Sequence, residues 1–153
     1  MYVFDTSSFI KIFSIPRTVF PSMWAEFDTL VEVGKIISVR EVLNELRERD
    51  DLITEWGKKR VELFQIPSAE EALLLTEIFK VSQYRQSLER KKLLRGGPFA
   101  DPFVIAKAKV QNGIVVTEEK LKKNAVKIPN ICKHFGISFV NLQGFMEREG
   151  WHY

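Results

Sequence analysis

Residues 100–119 read ADPFVIAKAKVQNGIVVTEE, and the way this stretch divides decides the fold. Asp101-Pro102 reads as a helix start with Pro102 at the first helical position, and Gly113 falls just past the helix end. Taken alone, Asp101 in that place is an N-cap. The next four residues, Ile114 to Thr117, form a β-branched run bounded by Gly113 and by charge. Such a run predicts a strand buried on both faces, as the strands of parallel sheets are. A helix delivered straight into a buried strand is half of a β-α-β unit.

The rest of the chain repeats the alternation. YVF (2–4) predicts a first strand, and TSSFIKIF (6–13) a short helix that stops near Pro16. FPSMWAEFDTLVEVGK (20–35) carries Trp24, Phe27, Leu30 and Val31 at helical spacing, with Pro21 in its first turn and Gly34 at its end. KIISV (35–39) is a second strand leading into the helix REVLNELRER (40–49). A helical hairpin follows, first over 51–64 and then as one long amphipathic stretch over 69–95 that ends at Gly96-Gly97-Pro98. After IVVT come a helix, IPNICKHFG (128–136), a strand, ISFVNL (137–142), and a closing helix, QGFMEREG (143–150). The expected class is α/β, a mostly parallel sheet of four to five short strands flanked by helices. Functional groups then collect beyond the carboxyl ends of the strands.

Composition narrows the partners. The 153 residues suit one domain, 1–153, with a net charge of +3 that mildly favours an anionic partner. The single cysteine, Cys132, excludes an intrachain disulfide and reads as a buried small hydrophobe. A leader sequence is not evident and no window reaches 18 apolar residues, so the expectation is a cytoplasmic protein without a membrane span. His134 and His152 lack ligand spacing, and Trp24 and Trp56 sit at core positions.

The acids are the unusual feature. Asp5 follows the first strand, Glu41 and Glu45 lie on the helix after the second, Asp101 opens the helix before IVVT, and Thr117 and Glu119 follow it. Ser38-Val39-Arg40-Glu41 fits a capping box, which makes Glu41 structural and leaves Glu45 without a local role. Glu119 also reads as a solvated charge beside Glu118 and Lys120. Two carboxylates about 5 Å apart repel by roughly 3 kcal/mol at an effective dielectric near 20. Several gathered in one crevice call for a cation, and an oxygen-only donor set suits Mg²⁺ or Mn²⁺. Carboxylate-held ions of this kind serve phosphoryl chemistry.

These segments resemble the PIN domain of metal-dependent ribonucleases along nearly the whole chain. YVFDTSSFI is similar to the first strand of that family with its first acid, Asp5, and the small hydroxyl residue Ser7. IISVREVLNEL resembles the second strand and helix and places the second acid at Glu45. The stretch 100–119 resembles its most distinctive segment, with the third acid at Asp101 and a Thr-x-acid turn at Thr117 and Glu119. The family commonly has Asp where Glu119 stands. The ending IPNICKHFGISFVNL is similar to a PIN-like subgroup of unknown function.

The resemblance implies a PIN-like fold and an endoribonuclease. Asp5, Glu45, Asp101 and Glu119 would hold Mg²⁺ or Mn²⁺ that activates water against the phosphodiester, and Thr117 would orient the ligand turn or a water. It further implies a toxin of a VapC-type toxin–antitoxin pair, with a small antitoxin as partner, and it is compatible with a homodimer. A catalytically silent PIN-like module that binds protein or RNA is the alternative.

Setting four of the 20 acidic residues aside leaves 16 against 23 Lys and Arg. The excess concentrates in two runs that flank the acids, Arg85, Arg90, Lys91, Lys92 and Arg95 before Asp101, and Lys120, Lys122, Lys123 and Lys127 after Glu119. Both suit RNA phosphates, and both also read as solvated faces. Gly96-Gly97-Pro98 reads as a mobile gate or as a plain turn.

Overall fold

The structure, a computed structural model, describes residues 1–49, 51–95 and 99–153, with Arg95 described by its backbone alone. Gly96-Gly97-Pro98 and the Arg95 side chain therefore lie outside the described residues. The strands are β1 (Tyr2–Phe4), β2 (Ile36–Val39), β3 (Phe64–Gln65), β4 (Ile114–Val116) and β5 (Phe139–Val140). They form one sheet in the order β3-β2-β1-β4-β5, every pair parallel. The α/β class and the parallel sheet expected from the sequence are present, with five strands.

Nine α-helices among the described residues connect and cover the strands. They are α1 (Thr6–Phe13), α2 (Pro21–Glu32), α3 (Arg40–Arg47), α4 (Leu52–Lys58), α5 (Ala69–Lys80), α6 (Ser82–Arg95), α7 (Asp101–Val110), α8 (Ile128–Phe135) and α9 (Leu142–Arg148). The expected long stretch over 69–95 is two helices, because Val81 takes an extended ψ of 103° and stops the ladder. The expected helix over 51–64 ends at Lys58, and a 3-10 turn at Val61–Leu63 leads into the edge strand β3.

Packing explains the layout. β1 is central and buried at every position, so it carries apolar residues throughout. The Phe4 ring meets Phe9 of α1, Phe27 of α2 and Phe145 of α9 at centroid distances of 5.3, 5.9 and 5.1 Å. Such aromatic contacts add to area burial and fix the helices on that face. Trp24, Trp56 and Cys132 are buried, as their positions in the sequence suggested. α7 packs on β1, β2 and β4, and its contact with α5 is extensive. No helix among the described residues is long and apolar enough to cross a membrane.

The strand order also creates a switch point. The chain runs from β1 outward to β2 and β3, then returns to add β4 and β5 on the opposite side of β1. Connections leave β1 and β4 in opposite senses, which opens a crevice beyond their carboxyl ends. Phe4 and Val116 are paired at the last step of the ladder, so Asp5 and Thr117 emerge there side by side.

Candidate active site

Asp5 is the best-anchored acid. It caps α1, accepting from the backbone N–H of Ser8 at 2.7 Å, and it accepts from the Ser7 hydroxyl at 2.8 Å. Thr117 Oγ1 donates to Asp5 Oδ2 at 2.5 Å across the β1–β4 boundary. Burial pushes the Asp5 carboxyl up to about 6, and these hydrogen bonds, Thr117 foremost, pull against it because they favour the charged form.

Thr117 is buried and belongs to two networks. Besides donating to Asp5, its Oγ1 accepts from the backbone N–H of Glu119 at 3.1 Å, which fixes the turn after β4. Ser7 Oγ accepts from the backbone N–H of Glu118 at 3.0 Å and ties the same turn to α1.

Glu45 reaches the crevice from α3. Its Oε2 accepts from the Thr6 hydroxyl and its Oε1 from the backbone N–H of Ala100 at 2.9 Å. One carboxylate thus joins the α3 face, the start of α1 and the residue that precedes Asp101. Nothing in the sequence marked Thr6 for this role beyond its place in the hydroxyl run after Asp5.

Asp101 differs from its reading as a cap. Ala100 is the N-cap of α7, Asp101 is its first residue, and Pro102 is second. The cap position has no side-chain hydrogen bond. The Asp101 side chain, 19% exposed, faces other acids. Burial and the negative charge of Glu119, and then those of Asp5 and Glu45, push its carboxyl up to about 8, while Lys91 pulls the other way. Asp101 therefore feels the other three acids across one crevice. Burial and the charges of Glu119 and Asp5 also push the Cys132 thiol up to about 12.

Glu119 is part solvated charge and part cap. It is half-buried, and its Oε2 accepts from the backbone N–H of Ile128 at 2.8 Å, at the first residue of α8. Its neighbour Glu118 turns away to accept from the backbone N–H of Leu142 at 2.7 Å. The capping box at Ser38 is absent. Val39 is the N-cap of α3, and Ser38 Oγ instead donates to the Phe4 carbonyl at 2.7 Å, joining β2 to β1. Glu41 is buried and paired through Oε1 with Arg40, and its Oε2 has no hydrogen-bond partner among the described residues.

The basic residues divide. Arg85, Arg90, Lys92, Lys120, Lys122 and Lys123 are exposed, while Lys127 is half-buried. Lys91 is turned inward. Its Nζ donates to the Val126 carbonyl at 2.8 Å, lies 3.9 Å from Asp101 Oδ2 and sits 5.6 Å from the Phe99 ring centroid. It is a counter-charge of the acid cluster.

The donor chemistry fits a hard divalent cation: carboxylate oxygens, hydroxyls and one crowded acid that such an ion would relieve. Among the described residues, no three His, Cys, Asp or Glu side chains already converge as a ligand set. Instead, hydrogen bonds from Thr6 and Ala100 tie Glu45 to α1 and to the start of α7, and one from Ile128 ties Glu119 to α8.

The profile of one protein family, described as Domain of unknown function (DUF4411), matches residues 2–153. The chain belongs to that family. No curated protein matches it. Among solved structures, the chain is similar to VapBC2 from Rickettsia felis bound to a DNA fragment from its promoter. The TM-score there is 0.44 at 19% identity, over 92% of this chain and 97% of that one. It is also similar to PAE2754 from Pyrobaculum aerophilum, with a TM-score of 0.38 at 14% identity over 88% of this chain and 96% of that one.

Proposed function

We propose that this DUF4411 chain is a metal-dependent endoribonuclease of PIN type, working as the toxin of a toxin–antitoxin pair. The observation that carries the reading is Asp101. Among the described residues its carboxylate caps no helix, and it lies within electrostatic reach of Glu119, Asp5 and Glu45 at the switch point of a parallel sheet. Stability alone gives no reason to gather four acids there.

Asp5, Glu45, Asp101 and Glu119 are the residues that would hold Mg²⁺ or Mn²⁺. Such an ion supplies charge neutralisation at the phosphate and makes water acidic enough to attack it. The chain's own groups prepare the rest. Thr117 and Ser7 keep Asp5 ionised and aimed, and the Thr117 contact with the Glu119 N–H sets the turn that presents the fourth acid. Thr6 and the Ala100 N–H fix Glu45. Lys91 offsets one negative charge beside Asp101. Arg85, Arg90, Lys92, Lys120, Lys122 and Lys123, with Arg95, steer the RNA backbone toward the crevice. In-line attack leaves 5′-phosphate and 3′-hydroxyl ends. A small antitoxin would silence the site, and a homodimer is compatible with it.

A second reading, a catalytically silent module that binds RNA or protein, is favoured by two observations. Glu119 already caps α8, and the acids are not converged. One assay separates the two. End-labelled RNA incubated with the protein and Mn²⁺ should be cut to 5′-phosphate products. EDTA and Asp5→Asn should each abolish cutting. Intact RNA with folded, Mn²⁺-loaded protein would leave the silent module standing.

A further inference from the structure

A cavity of about 300 Å³ lies between α5, α6 and α7, outside the acid cluster. That volume is at the lower end for small-ligand pockets. Its walls are the rings of Phe79, Phe99 and Phe103 with Leu88 and Pro102, and its polar residues are Glu89 and Lys92. Glu89 and Lys92 are three residues apart on α6, so they share one helix face. Both are exposed, and neither makes a hydrogen bond or ion pair among the described residues.

We infer that this cavity takes an unpaired guanine base of the bound strand. The inference rests on the nuclease reading for the strand, but its chemistry is local. Aromatic rings and apolar walls stack any base, as single-strand binding sites do. The two polar groups select among bases. A carboxylate only accepts and an ammonium only donates. Guanine presents two adjacent donors, N1–H and the 2-amino group, beside one acceptor, O6. The two oxygens of the Glu89 carboxylate can accept from both donors at once while the Lys92 ammonium donates to O6. Adenine, cytosine and uracil each offer such a pair one donor and one acceptor, one contact fewer.

The cavity also adjoins the proposed chemistry. Phe99 and Pro102 flank Asp101 in the chain, and the Lys91 ammonium touches both sites, over the Phe99 ring and beside Asp101.

The test uses four labelled pentanucleotides, UUGUU, UUAUU, UUCUU and UUUUU, titrated into full-length protein in EDTA and read by fluorescence anisotropy. All four carry the same phosphates, so repulsion by the acids cancels in the ratios. The guanine oligonucleotide should bind tighter than the others by roughly 5- to 150-fold, the value of one good two-point base contact. Glu89→Gln, a surface change that spares the core, should bring the ratio near one. Phe103→Ala should weaken all four together. Equal binding by the wild type, or a guanine preference that survives Glu89→Gln, would overturn the assignment. Absent binding of every oligonucleotide would equally overturn it, and Phe103→Ser altering only self-association in sedimentation would then give the cavity to a second copy. The nuclease reading fails separately, if guanine is preferred in EDTA yet nothing is cut with Mn²⁺.

Discussion

The ion pair beneath α7 gives the sharpest stability prediction. Lys107 Nζ lies 2.7 Å from Glu71 Oε1 of α5, with the two side chains 3% and 2% exposed. The same ammonium donates to Gln65 Oε1 of β3 at 3.0 Å. Lys107→Met keeps most of the length of the side chain and removes its charge, which leaves the buried Glu71 without this counter-charge. Breaking one side of a buried pair costs about 3–5 kcal/mol, whereas replacing both partners by apolar groups is often neutral or stabilising. Lys107→Met should therefore lower the melting temperature by roughly 6–20 °C, taking 2–4 °C per kcal/mol for a chain of this size. Lys107→Met/Glu71→Met should recover most of that loss. Urea unfolding followed by circular dichroism on all four members of the cycle measures the coupling. A single variant costing under about 1 kcal/mol, or a double variant no better than the single, would refute the reasoning. The pair matters for the site because α7 carries Asp101, and its seat on α5 and β3 sets where that carboxylate stands.

Two further results follow from the acid crevice. Thr117→Val removes the strongest hydrogen bond to Asp5, so its carboxyl should titrate above the present value of about 6, by roughly one to two pH units for a charged hydrogen bond of 1.5–3 kcal/mol. Carbon-detected NMR of the aspartate side chains reads this directly, and an unchanged or lowered titration would contradict the geometry. The raised Asp101 carboxyl has its own signature without metal. The folded state holds a proton up to about pH 8 that the unfolded chain releases near pH 4, so stability should fall as pH rises through that window, by at most about 1.4 kcal/mol per pH unit. A flat profile in EDTA would show that Asp101 does not face the other acids.

The sequence made the frame legible and left its long-range contacts dark. Short β-branched runs such as Ile114–Val116, set between glycine and charge, carry their own evidence of being buried parallel strands. β3 escaped because two residues after a 3-10 turn have no periodicity to read. The break at Val81 escaped because Val81 itself fits an amphipathic helix. Asp101-Pro102 and Ser38-x-x-Glu41 both match local capping patterns, and in each the side chain answers to a distant partner instead. The same holds for Lys91, which reads as a surface cation and turns to Asp101 and Val126. Lys107 looks solvated within AKAK, and its partner Glu71 stands on another helix. Pattern reports what a residue does for its own element. It reports nothing of a charge met across the core.

The central claim is that four acids from four places in the chain make one cation site, and thermal unfolding in Mn²⁺ and in EDTA tests it without a substrate. Mn²⁺ should raise the melting temperature of the wild type in a concentration-dependent manner, as any ligand of the folded state does. Asp101→Asn should be at least as stable as the wild type in EDTA near pH 8, since it removes a crowded charge, and should gain little from Mn²⁺. A wild type indifferent to Mn²⁺, together with an Asp101→Asn variant that is simply less stable, would contradict the account and return Asp101 to the role of a helix-terminal residue.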